Sequence, residues 1–181
     1  MKKKLNQLKR LLSEMERVAV AYSGGVDSSF LLKVAQDVLG ENVIALTAVS
    51  PSMSAYEREQ ADDLATQLGV QQVLIKSDEI ENQDYVANTP RRCYFCKRAI
   101  SAKLLTYAHQ HGYHFVLEGT NADDADDHRP GQQAVQECDV RSPLQEVGLT
   151  KAEIRTLARQ LGLPNWEKPA SACLASRIPY G

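Results

Sequence analysis

A chain of 181 residues is long enough to bury one α/β core, and 43% hydrophobic with 24% charged residues is the balance of an ordinary globular protein. The formal net charge of −2 gives no global field that would draw the chain to nucleic acid. The basic start Met1-Lys2-Lys3-Lys4 is not followed by a long apolar run, so neither a signal peptide nor a membrane span is expected, and the expected compartment is the cytoplasm. There, the four cysteines are expected as ligands, nucleophiles or core residues rather than disulfides.

Leu5, Leu8, Leu11, Leu12 and Met15 recur at helical spacing and predict an opening amphipathic helix. Val18-Ala19-Val20-Ala21-Tyr22 reads as a short buried strand and is followed by a glycine loop. Phe30, Leu31, Val34, Ala35 and Val38 predict a helix stopped by Gly40, and Val43 to Val49 a second strand. Ser54 to Leu68 reads as a helix closed by Gly69, and Gln72 to Lys76 as a third strand. A long connection runs from Ser77 to Arg92. Ile100, Leu104, Leu105 and Ala108 predict a helix from Cys96 to His111, and Phe115-Val116-Leu117 a fourth strand. Thr150 to Leu161 is a late helix with Thr150 as N-cap, Glu153 completing a capping box and Gly162 as the stop. Strands alternating with helices predict a doubly wound parallel sheet, whose ligands bind beyond the carboxyl ends of the strands. Ser23, Ser50 and Glu118-Gly119-Thr120 all lie at such ends.

The segment Ser23-Gly24-Gly25-Val26-Asp27-Ser28-Ser29 joins a buried strand to a helix N-terminus. Two glycines let the backbone turn and aim its N–H groups inward, while the helix dipole and the hydroxyls of Ser23, Ser28 and Ser29 favour an anion. A Walker loop would end in Gly-Lys-Ser/Thr, and a dinucleotide loop would read G-x-G-x-x-G; neither is present. Ser-Gly-Gly-x-Asp-Ser resembles the signature of the PP-loop ATP pyrophosphatases, which cleave ATP between the α- and β-phosphates. The resemblance implies an adenine nucleotide α-hydrolase-like fold and products AMP and pyrophosphate. It also implies a role for Asp27 in holding Mg²⁺. The absence of a loop lysine to steady a γ-phosphate agrees with it.

Three further segments narrow the resemblance: Glu118-Gly119-Thr120-Asn121-Ala122-Asp123-Asp124 with Arg129-Pro130-Gly131, then Arg141-Ser142-Pro143-Leu144, then Ala170-Ser171-Ala172-Cys173-Leu174-Ala175-Ser176-Arg177-Ile178-Pro179-Tyr180-Gly181. Together with the loop they resemble the LarE-type sulfur insertases of nickel-pincer nucleotide synthesis over essentially the whole chain. Those enzymes adenylate a carboxylate of pyridinium-3,5-biscarboxylic acid mononucleotide and replace its oxygen with sulfur. Such a substrate is multiply anionic, which suits Arg129, Ser176 and Arg177 as its binding residues. Ser50, Gly119 and Thr120 join the loop as expected ATP-binding residues. Asp123, Asp124, Asp126, Asp127 and His128 read as a solvated acidic loop, since the calcium pattern D-x-D-x-D-G is missing. Arg141 is expected to buttress the site by pairing with an acid.

Cys93-Tyr94-Phe95-Cys96 lies among Arg91, Arg92, Lys97 and Arg98, just before the predicted helix. A redox pair, half a zinc site, two unrelated thiols, and two of three ligands to an iron–sulfur cluster all remain readings of that spacing alone. The family resemblance implies the last of these: Cys93, Cys96 and Cys173 as ligands of a 4Fe-4S cluster that carries the sulfide for transfer. A subtype lacking C-x-x-C sacrifices one cysteine instead, which here would be Cys173. A tRNA-thiolating PP-loop enzyme and a non-catalytic nucleotide-binding fragment stay open as well. Cys138 reads as a small apolar filler in a helix with Val135. The expected organisation is a PP-loop domain over 1–163 and an irregular segment over 164–181. Family members continue past Pro-Tyr-Gly into a C-terminal domain, which is not expected in this chain. A small nucleotide substrate and self-association into a homo-oligomer are expected, with no nucleic acid or membrane partner.

Overall fold

A computed structural model describes residues 1–124, 130–170 and 173–181. Arg129, the acidic residues Asp126 and Asp127, His128, and Ser171 and Ala172 of the third motif lie outside the described residues.

Helix α1 spans Lys2–Met15 and turns Leu8, Leu12 and Met15 inward. Strand β1 (Val18–Ala21) leads through the glycine loop into α2 (Val26–Leu39), and β2 (Val43–Val49) into α3 (Ala55–Gln67). Helix α3 starts where the Ser54 hydroxyl accepts from the Glu57 N–H, leaving one fewer orphan donor at that end. Strand β3 (Gln71–Lys76) precedes the one-turn helix α4 (Gln83–Val86) and the long α5 (Arg92–Gln110). Strand β4 (Phe115–Leu117) is followed by α6 (Pro130–Glu137), α7 (Pro143–Glu146) and α8 (Lys151–Gln160). The capping box at Thr150 forms in both directions: Glu153 N–H donates to the Thr150 hydroxyl at 3.3 Å, and Thr150 N–H to the Glu153 carboxylate at 3.1 Å.

The four strands form one parallel sheet in the order β3-β2-β1-β4. Side chains alternate across it. Val18, Val20, Val43, Ala45 and Leu117 enter a core with α1, α2, α3 and α8, while Ala19, Ile44, Leu46 and Val116 enter a second core with α5 and Val135 of α6. Burial on both faces is why these strands read as continuous apolar runs rather than alternating ones. The chain steps outward from β1 to β3 and then returns to the other side of β1. The sheet therefore switches direction between β1 and β4, the place where ligands bind in doubly wound folds. The pairing of Val20 with Leu117 puts the loop after β1 beside Glu118 and Gly119 after β4. Among the described residues no helix is long and apolar enough to cross a membrane.

Three details differ from the sequence expectation. Helix α5 begins at Arg92 rather than at Cys96, so Cys93 lies in its first turn instead of ahead of it, with Cys96 one turn on from Arg92. The connection 77–92 contains a 3-10 turn at Glu79–Glu81 and α4, whose start is capped by the Asn82 side chain. Residues 141–149, for which the sequence gives no element, pack into the fold: Arg141 pairs with Leu117 beside β4, and Leu144 and Leu149 are fully buried.

Candidate functional site

The loop after β1 is held by its own serines. The Ser28 hydroxyl donates to Gly25 O at 3.1 Å, accepts from Ser23 N–H at 3.3 Å and lies 3.2 Å from the Ser23 hydroxyl. Gly24 has φ 73°, and a Cβ there would meet Ala61 Cβ at 2.9 Å, so both conformation and space require glycine. Gly119 closes the other side: a Cβ there would sit 2.9 Å from Ser28 N and 3.1 Å from Asp27 C. The sheet register thus leaves a cradle at the start of α2 just wide enough for bare backbone.

Ser29 is fully buried, and its hydroxyl accepts from Asn165 Nδ2 at 2.9 Å. The same amide donates to Gly24 O at 3.1 Å. Ser29 therefore works underneath the loop as scaffold, and Asn165, which sequence reasoning passed over, ties the C-terminal segment to it. Ser50 and Ser52 hydroxyls lie 2.6 Å apart at the end of β2. Thr120 donates to the Glu118 carboxylate from both its N–H (3.1 Å) and its hydroxyl (2.8 Å), and Ser142 donates to the same carboxylate. Arg141 pairs with Glu146, its Nε at 3.1 Å from Oε1, on the outer side of that turn.

Two cavities open on the loop. One of about 300 Å³ lies between the Ser23–Ser28 loop and Glu118-Gly119-Thr120, with Ala48, Ile100 and Leu104 as an apolar wall. The other, of about 450 Å³, is bounded by Ser23, Gly25, Asp27, Ser52 and Cys173, with Lys97, Lys151 and Lys168 around it. A third, of about 540 Å³, contains Arg177 and shares the Lys168-Pro169-Ala170 wall with the second. A cavity of comparable size between α1 and α7 has none of these residues. The loop has no lysine of its own, as its sequence says, but the site does: Lys97 comes from α5, Lys151 from α8 and Lys168 from the C-terminal segment. Absence of a phosphate-steadying lysine is thus a property of the loop and not of the site.

Lys151 pairs with Asp27 Oδ2. Asp27 Oδ1 is buried and, among the described residues, has no hydrogen-bond partner. Burial raises the Asp27 carboxyl above the usual range; the Lys151 bond and charge pull it back only in part, and Asp124 pushes it up further. A buried carboxylate oxygen without a donor of its own is suited to a second cation.

Cys93 and Cys173 are exposed and Cys96 half-buried. Burial pushes the Cys96 thiol up to about 11, with the Glu79 carboxylate adding to it, Lys97 opposing, and the thiols of Cys173 and Cys93 both adding again. Among the described residues no three His, Cys, Asp or Glu side chains are grouped closely enough to hold a metal ion. Of the three cysteines, only Cys173 lines the loop cavity. Ser176 gives its hydroxyl to Cys173 O at 2.6 Å and so braces that residue. Cys138 is half-buried against the second core.

Comparison with known proteins places this geometry. An NH3-dependent NAD synthetase from Campylobacter jejuni superposes with a TM-score of 0.73 at 22% identity, over 94% of this chain and 78% of that one. An NMN synthetase from Francisella tularensis gives a TM-score of 0.74 at 21% identity, over 94% and 75%. An uncharacterized protein of Synechocystis is 47% identical over 178 residues, and the pyridinium-3,5-bisthiocarboxylic acid mononucleotide synthase of Lactiplantibacillus plantarum is 40% identical over 171. The chain spans 66% and 62% of the lengths of those two relatives, respectively. The family model described as NAD synthase matches residues 2–179. The chain belongs to the NAD synthase family, the PP-loop ATP pyrophosphatases.

Proposed function

We propose that the chain carries the ATP-dependent, sulfur-inserting activity of a LarE-type enzyme. ATP adenylates a carboxylate of pyridinium-3,5-biscarboxylic acid mononucleotide, pyrophosphate leaves, and sulfur then displaces AMP. The observation that carries the reading is the cavity of about 450 Å³ in which the Ser23–Asp27 loop, three lysines and Cys173 share one wall. The relative of 40% identity bears the name of a synthase of the bisthiocarboxylic product.

The geometry supports a role for each group. The N–H groups at the start of α2, with Ser23 and Ser28, cradle the pyrophosphate. Lys97, Lys151 and Lys168 offset the charge that builds on it as the α–β bond breaks. Ala48, Ile100 and Leu104 form an apolar wall suited to the adenine base. The partnerless Asp27 Oδ1 fits a Mg²⁺ ligand, and the ion would supply further charge neutralisation on the leaving group. Arg177, in the neighbouring cavity that shares the Lys168-Pro169-Ala170 wall, suits an anionic group of the pyridinium nucleotide.

For the sulfur step, the soft thiols of Cys93, Cys96 and Cys173 have the chemistry of 4Fe-4S ligands, and such a cluster would supply a transferable sulfide. The three thiols are not grouped closely enough to hold it as they stand, so they would have to draw together around it. A second reading has its own support: only Cys173 lines the loop cavity, which suits it to give up its own sulfur to the adenylate. Two measurements decide. ATP turnover with the pyridinium substrate should yield AMP and pyrophosphate; ADP and phosphate as the only products would overturn the proposal. Anaerobic reconstitution with iron and sulfide should then bind about four irons per chain, in the way three-thiolate sites do. Conversion of Cys173 to dehydroalanine without iron uptake would select the sacrificial route.

A further inference from the structure

Cys173–Gly181 has no regular structure beyond a 3-10 turn at Leu174–Arg177, yet it is fastened at both ends. Next to Cys173, Leu174 N–H donates to Ser52 O at 2.9 Å. At the far end, Asn88 Nδ2 donates to Pro179 O at 2.7 Å, and Asn88 O accepts from Gly181 N–H at 3.2 Å. Asn88 Oδ1 in turn accepts from Arg92 at 2.6 Å. Arg92 also donates to Ile178 O at 3.3 Å, and its guanidinium lies 5.2 Å from the Tyr180 ring.

Arg92 is only 5% exposed, and among the described residues no carboxylate pairs with it. A guanidinium so buried needs its N–H groups satisfied, and here Asn88 and a carbonyl of the C-terminal segment do it. Asn88 has φ 51°, the left-handed region that asparagine enters more readily than most residues. Arg92 opens α5 directly before Cys93, with Cys96 one turn on. One helical turn therefore both bears the thiol pair and grips the segment bearing the third thiol.

We propose that Asn88 and Arg92 are positioning residues for the sulfur step: they clamp Ile178–Gly181 to the start of α5 and so hold Cys173 at the mouth of the loop cavity, facing Cys93 and Cys96. The proposal rests on the reading of these three cysteines as the sulfur-handling group. Neither clamp residue touches the reacting atoms.

The test is thiol cross-linking of the whole chain with dibromobimane, followed by mass-spectrometric mapping of the linked peptides. Asn88→Gly keeps the left-handed backbone and deletes both side-chain bonds. Asn88→Asp keeps the acceptor for Arg92 and loses only the donor to Pro179. The parent chain should link Cys173 to Cys93 or Cys96. That yield should fall at least about ten-fold in Asn88→Gly, the scale set by losing hydrogen bonds to a buried charge, and by less in Asn88→Asp. The Cys93–Cys96 link and calorimetric ATP binding should be unchanged, which a general loss of folding would not allow. An undiminished Cys173 link in Asn88→Gly, or none in the parent, overturns the clamp. If iron uptake and sulfur transfer fail while the cross-link behaves as described, the clamp stands and the sulfur reading falls.

Discussion

Asp27→Asn should make the empty protein more stable while removing its chemistry. In the structure Asp27 Oδ1 is buried without a partner among the described residues, and Oδ2 is paired with Lys151. Leaving an ionised oxygen buried and unpartnered costs about 1–3 kcal/mol. The pair with Lys151 joins side chains that are 32% and 21% exposed, so solvent screening holds its worth to about 0.2–1 kcal/mol. Burial wins, in agreement with the raised Asp27 carboxyl. An amide of the same shape removes most of the penalty, for a net gain of about 1 kcal/mol, or about 2–4 °C in Tm for a domain of this size. The sign with pH follows from the same shift. A carboxyl raised in the folded state carries no penalty below its unfolded value, where both states are protonated, and the full penalty above its folded value. The advantage of the amide variant should therefore be largest near neutral pH and vanish on acidification through the raised Asp27 range toward the ordinary carboxylate range. Thermal melts of both proteins across that pH range measure it. Mg²⁺-dependent pyrophosphate release should fall by orders of magnitude in the same variant. If Asp27→Asn melts lower at neutral pH, the Lys151 pair outweighs burial and the reasoning fails.

Gly119→Ala should abolish ATP binding measured by calorimetry, since the new Cβ would stand 2.9 Å from Ser28 N inside the cradle; unchanged affinity would show that the phosphates lie elsewhere. Thr150→Ala deletes one half of the capping box and should lower stability by about 1 kcal/mol, seen as a Tm lower by about 2–4 °C. Cys93→Ala, Cys96→Ala and Cys173→Ala should each lose iron on reconstitution, whereas Cys138→Ala, at the edge of the second core, should retain it; equal iron in all four would remove the cysteines from the site.

The sheet was legible because parallel strands buried on both faces are apolar runs, and β1, β2 and β4 have no other reading between their glycine and capping signals. Helix α8 was legible down to both bonds of its capping box. What periodicity cannot see is a helix too short to have a period. Helix α4 is one turn set by the Asn82 side chain, and α7 is one turn opened by Pro143. Apolar spacing puts the start of α5 too late because Arg92 and Cys93 contribute nothing to it, although Arg92 is buried by contacts that arrive from residues 88 and 178. The phosphate loop was legible because its chemistry is local, with glycines, hydroxyls and carboxylate consecutive in the chain. Asn165 and the lysines were not, because each is a lone polar residue whose meaning comes only from the register of the sheet. Lys97, directly after the C-x-x-C and near the start of a helix rising from the rim, was the nearest to a readable signal.

A lysine inside a phosphate loop arrives with the loop and needs nothing else to fold around it. Here the cations come from three places, and one of them, Lys168, lies on the same segment as Asn165 and Cys173. That segment fastens the loop from below through Asn165, walls the loop cavity through Lys168, and presents Cys173 to the same space. The proposed nucleotide and sulfur sites are therefore not two patches on one rim but share the lining of one cavity. A segment with no core of its own is ordered mainly by what it touches, so breaking a hydrogen bond at one end loosens the other. On the proposed function, Asn165→Ala should therefore raise the thiol-labelling rate of Cys173 and also weaken ATP binding measured by calorimetry; a change in one without the other would refute the coupling.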